Sequence, residues 1–67
     1  MYNNRICYCE GNTCYYLMAM ADNIIQWTIN RSDAMLFRYD IAEEYVAMLK
    51  GKSYHYENLL IVGGIDD

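Results

Sequence analysis

The sequence is short of positive charge. Five Lys and Arg stand against nine Asp and Glu, a formal net charge of −4. Binding to a phosphate backbone rests on clustered Lys and Arg, so this balance argues against a direct nucleic-acid-binding role. The sequence also lacks a long apolar run. A membrane helix needs about 20 consecutive apolar residues, and no stretch of the 67 residues comes near that. The opening Met1-Tyr2-Asn3-Asn4-Arg5 leads into no apolar stretch, so no secretory signal is expected and the expected location is the cytoplasm. Proline is absent, and Gly63-Gly64 follows an apolar run with no helix after it, which excludes a phosphate-cradling loop there. The chain is too short for more than one domain, read here as residues 1–67 with an ordered core over 5–62. Its expected radius of gyration, about 11 Å, leaves no room for a deep substrate cleft. An enzyme, a metal centre and a cofactor are not expected.

What the sequence does have is apolar and aromatic material: 55% of residues are apolar, and eight of the aromatics are Tyr. Tyrosine buries its ring while its hydroxyl reaches water or a partner, which suits the boundary of a small core and also an interface. Arg5 to Glu10 reads as a strand, Gly11-Asn12 as a turn, and Thr13 to Met20 as a second strand. Asp22-Asn23 is a second turn signal. Ile24 to Asn30 reads as a third strand, with Ile25, Trp27 and Ile29 on one face. Arg31 to Arg38 is a connection with a helical turn that sends Leu36 or Phe37 into the core. Asp40 fits a helix N-cap with Glu43 closing a capping box, and Gly51 fits the left-handed residue after the helix. Ile41, Tyr45, Met48 and Leu49 line the apolar face of that helix, flanked by Ala42 and Val46. Tyr54 to Val62 reads as a last strand, and its Leu59-Leu60-Ile61-Val62 run suggests burial on both faces or a central place in the sheet. The fold class is α+β, in the order β-β-β-α-β: an antiparallel meander with one helix packed on one face of a four-stranded sheet. A helical crossover would return the last strand parallel to the third. The pattern leaves open whether that strand lies beside the third or the first.

Three cysteines and one histidine bear on chemistry. A two-residue turn at Gly11-Asn12 puts Cys9 opposite Cys14 on adjacent strands. Reduced thiols packed as small hydrophobes are the first reading. A Cys9–Cys14 disulfide is the second, and zinc held by Cys7, Cys9, Cys14 and His55 the third, at a spacing unlike the usual Cys-x₂-Cys knuckle. A Cys–His catalytic pair needs a base beside the thiol and a third, orienting group, and the sequence gives no sign of that set. Glu43 and Glu44 are neighbours on a helix and do not face each other.

The carboxylates Asp33, Asp40, Glu43 and Glu44 gather around the start of the helix. They read either as a solvated face that keeps the protein soluble or as a surface made for a basic partner, where charge speeds association and sets register. On the second reading the partner-binding set is Asp33, Tyr39, Asp40, Glu43, Glu44, Tyr54 and Tyr56.

The stretch holding Trp27, Ala34, Phe37, Ala42 and Leu49, set between short strands and an apolar strand, resembles small acidic proteins encoded by phages and mobile elements, the anti-CRISPR inhibitors of host defence among them. The resemblance covers roughly residues 24–62 and carries no functional residue across. It implies an inhibitor that occludes the basic nucleic-acid-binding surface of a host nuclease such as a CRISPR effector. The alternative is a self-associating module, a homodimer joined through an uncovered sheet face. On the second strand either face is apolar, Leu17 with Ala19 or Met18 with Met20.

Overall fold

A computed structural model describes residues 2–21, 24–52 and 58–63. Its elements follow the expected order: β1 (Asn4–Glu10), β2 (Thr13–Ala21), β3 (Ile24–Thr28), a 3-10 turn (Arg31–Asp33), α1 (Tyr39–Lys52) and β4 (Leu60–Gly63). All strands join one antiparallel sheet in the order β3-β2-β1-β4. The fold is therefore the α+β meander with one helix, and its radius of gyration is 11.1 Å.

The first hairpin forms because Gly11 adopts a φ of 60°, open to a residue without Cβ. The two-residue loop pairs Glu10 with Thr13 and sets Cys9 against Cys14. Strand alternation then divides the sheet. Ile6 and Tyr8 of β1, Leu17 of β2, Ile25 and Trp27 of β3 and Ile61 of β4 belong to the core face. Tyr8 bridges the strands there, stacked on Tyr15 at 5.2 Å and edge-on to Trp27 at 4.8 Å. Arg5 and Cys7 alternate to the opposite face. Helix α1 packs against β1 and β4, burying Ala42 and Leu49 over Ile6, Leu17, Phe37 and Leu59. The Phe37 ring meets Tyr45 at 5.0 Å.

A β-bulge in β2 decides the rest. The β2–β3 register shifts between Leu17 and Ala19, so Met18 is an extra residue. Leu17 and Met20 thus both turn to the core, a combination that strict alternation forbids. The β1–β2 ladder stops at Cys7 and Tyr16. Beyond it, the connection after β3 fills the space between the two strands. Met35 N donates to Leu17 O at 2.9 Å, Phe37 N to Asn4 O at 2.8 Å, and Asn4 N to Phe37 O at 3.0 Å. Backbone groups that β2 would have satisfied are met by residues 35–37 instead. This insertion settles the choice between Leu36 and Phe37: Phe37 is buried and Leu36 exposed.

Several sequence expectations need correction. β4 runs antiparallel to β1, and so opposite to β3. No parallel crossover exists, because the connection, not the helix, carries the chain back to the foot of β1 beside Asn4. α1 then climbs over about 21 Å, and β4 descends. β4 is an edge strand rather than a central one, with Leu59 buried but Leu60 and Val62 exposed. It begins at Leu60; residues 54–57 of the expected strand, with Tyr54, His55 and Tyr56, lie outside the described residues. β3 ends at Thr28, leaving Ile29 exposed. Met48 is also exposed, because it lies about 100° round the helix from Leu49, outside the arc that Ala42, Tyr45, Val46 and Leu49 occupy. Asp40 is not the N-cap: α1 starts at Tyr39, and Ala42 N donates to Arg38 O at 2.9 Å, so Arg38 holds the cap position. Gly51 lies inside α1 and needs no left-handed φ.

Candidate functional site

The outer face of α1 is the surface the carboxylates build. Ala, Glu, Met, Leu and Lys favour the helix, and its apolar positions turn Ala42 and Leu49 inward with Tyr45 and Val46 at their sides. Asp40, Glu43, Glu44 and Ala47 fall three and four residues apart on the far side and are all exposed. Their charges stand at the helix N-terminus, while Lys50 and Lys52 occupy the last turn, an arrangement that also complements the helix dipole. Tyr39 opens the helix with 56% of its surface accessible.

Asp40 is partly engaged. Its Oδ2 accepts from an Arg38 guanidinium nitrogen at 3.3 Å, and its Oδ1 from Ile41 N at 2.9 Å. The ion pair joins side chains 53% and 61% exposed, so solvent screens it to at most about 1 kcal/mol. Glu43 and Glu44 make no ion pair or side-chain hydrogen bond among the described residues. Both carboxylates are exposed on the same helix segment as Tyr39.

Asp33 belongs elsewhere. It sits in the 3-10 turn, which Asn30 caps by accepting from Ser32 N at 3.3 Å and from Ser32 Oγ at 2.8 Å. That turn is tied to Arg5, whose Nε donates to Arg31 O at 3.0 Å. Arg5 alternates away from the core face yet is buried. Together with Asn30, Arg31 and Ser32 it lines a cavity of about 310 Å³. Of the expected partner-binding residues, then, Tyr39, Asp40, Glu43 and Glu44 share one helix segment, Asp33 is held by a different element, and Tyr54 and Tyr56 lie outside the described residues. The role of Arg5 was not visible in the sequence, where it reads only as the start of a strand.

The cysteines correct the first-ranked reading. Cys9 and Cys14 form a disulfide, and Cys7 alone is a free, buried thiol. The cause is register: Glu10 and Thr13 flank the two-residue turn as a hydrogen-bonded pair, and the next pair out, Cys9 and Cys14, is a non-hydrogen-bonded one, where Cα atoms approach most closely; these stand 4.0 Å apart. Burial pushes the pKa of the Cys7 thiol up, which works against a nucleophilic role. Among the described residues no group of three or more His, Cys, Asp or Glu could hold a metal ion, and no helix is long and apolar enough to cross a membrane. Compared with protein-family models, with curated proteins and with solved structures, the chain finds no match.

Proposed function

We propose that the protein is a small binding inhibitor of phage or mobile-element origin. It sets the acidic face of α1 against the basic nucleic-acid-binding surface of a host defence nuclease, a CRISPR effector being the type of target meant. One observation carries this reading: Glu43 and Glu44 stand exposed, without an ion pair or side-chain hydrogen bond among the described residues, one turn from Tyr39 on a helix whose other side packs into the core. A rigid element bearing charge and an aromatic ring suits recognition, with the ring adding contact area at low entropic cost. Inhibition is steric, by occupying the groove that nucleic acid would enter, and needs no catalytic group. The reading places the protein in the host cytoplasm, where thiols are kept reduced. The acidic face lies on a different element from the Cys9–Cys14 hairpin and does not depend on that bond.

The test is affinity for a purified effector at low and high salt, with competition by the effector's own nucleic acid. Binding should weaken at least about tenfold between roughly 50 and 500 mM salt, since exposed charges are screened beyond roughly a Debye length. The double variant Glu43→Lys, Glu44→Lys should weaken it similarly while leaving the helix folded. Affinity indifferent to both changes would remove the carboxylates from the interface and the reading with them.

A further inference from the structure

We infer that β4 is a self-association edge, along which a second copy of this chain pairs antiparallel to extend the sheet. Proteins usually blunt an exposed strand edge with Lys, Pro, a bulge or a covering segment. β4 reads Leu-Ile-Val-Gly, with no charge and no proline, and among the described residues it lies at the end of the strand order. Its ladder with β1 pairs Arg5 with Val62 and Cys7 with Leu60. Two of its side chains, Leu60 and Val62, are apolar and exposed, 54% and 36%, and both sit on the sheet face opposite α1.

The sequence of β4 is complementary to itself. In an antiparallel pair about a two-fold axis at Ile61, Leu60 of each copy stands beside Val62 of the other. The two most exposed apolar side chains of the strand cover one another, and β-branched and aliphatic cross-strand pairs of this kind are favourable. Ile61 meets its own equivalent on the core face, continuing the packing around Leu59 and Phe37. Such an interface is isologous and closed, so it stops at a dimer. A chain of net charge −4 repels its copies in general, but Leu60 to Gly63 themselves carry no carboxylate. That match between Leu60 and Val62 is why the occupant is a second copy rather than an unrelated extended peptide. A pair of four-residue strands lies below the roughly 1,200 Å² of stable interfaces, so the dimer is reversible. The axis runs perpendicular to the sheet and sets both acidic helices on the same side of one eight-stranded sheet. Their mutual repulsion makes dimerisation strengthen with salt, opposite to the salt dependence of partner binding, and independent of it.

Sedimentation equilibrium from about 20 μM to about 1 mM tests this. The average mass should rise from 7.9 kDa toward twice that value, at lower concentration in high salt than in low. Val62→Lys and Leu60→Glu each act twice in a symmetric dimer and should each raise the dissociation constant at least about tenfold. In an equimolar mixture of the two variants, the introduced lysine of one copy stands beside the introduced glutamate of the other. The second contact of that mixed dimer keeps the native Leu60 beside the native Val62, so the mixture should recover most of the affinity. As a readout on the unaltered chain, the Ile61 amide should exchange more slowly with solvent as concentration rises. A chain that stays at 7.9 kDa throughout overturns the inference. So does a variant pair whose mixture does no better than its members, or an Ile61 amide indifferent to concentration.

Discussion

Reducing the Cys9–Cys14 bond should loosen the domain by a calculable amount. The bond closes a ring across five positions of the chain. Chain-entropy reasoning for so short a loop gives about 2 kcal/mol. That figure is a ceiling, because the turn at Gly11 already biases the unfolded chain toward the same hairpin. Little packing is at stake, since Cys9 is exposed and Cys14 half-buried. The expected loss is therefore about 1–2 kcal/mol. Urea unfolding followed through Trp27, which packs edge-on to Tyr8, reads it out. With a slope near 1 kcal/mol per molar for a domain of this size, the midpoint should fall by about 1–2 M on adding reductant. The double variant Cys9→Ser, Cys14→Ser should show the same midpoint with or without reductant, close to that of the reduced parent. A parent whose midpoint does not move on reduction, or a double variant that still responds, would refute the reasoning.

The connection and the buried thiol give two further predictions. Phe37→Ala should cost about 3–5 kcal/mol, enough to unfold much of a 67-residue domain by circular dichroism, while Leu36→Ala stays within about 0.5 kcal/mol. Equal effects at the two positions would contradict the insertion between β1 and β2. Because burial raises the pKa of Cys7 above its ordinary 9.0, the folded state holds its proton more tightly than the unfolded one. Its contribution to stability is therefore complete below pH 9.0 and falls as pH rises through the folded value. Unfolding midpoints measured up to about pH 10.5 should decline more steeply for the parent than for Cys7→Ser, and coloured thiol reagents at about pH 8 should react with Cys7 more slowly than with a free-cysteine peptide.

The legible part of this fold is the part made of local pattern. Gly11-Asn12 gave the first hairpin its register, and with it the facing of Cys9 and Cys14. The alternation of Ile25 and Trp27 placed β3 on the correct face. The bulge at Met18 was not legible, because Leu-Met-Ala-Met is apolar on both parities and no residue marks the extra position. Neither was the place of β4: its apolar run looks central, yet an edge strand in a chain this small keeps such residues exposed. The helix starts two residues earlier than Asp40 suggests, because Asp40 is a good cap by type, while backbone geometry gives that position to Arg38. The acidic face of α1 was visible as a cluster, but Asp33 belongs to it only in sequence. What separates them is the extended insertion through Phe37, which has no periodic signature.

That insertion also divides the sheet by when it can form. The upper part, from Cys7–Tyr16 to the turn at Gly11, joins residues near in sequence and can close early, since short loops cost little entropy. The foot of β1 is different. Asn4 takes Phe37 on one side and Gly63 on the other, partners 33 and 59 positions away. On a ribosome, β1 would thus have one end finished soon after Tyr16 had emerged. Its other end would stay open until Gly63 had been made.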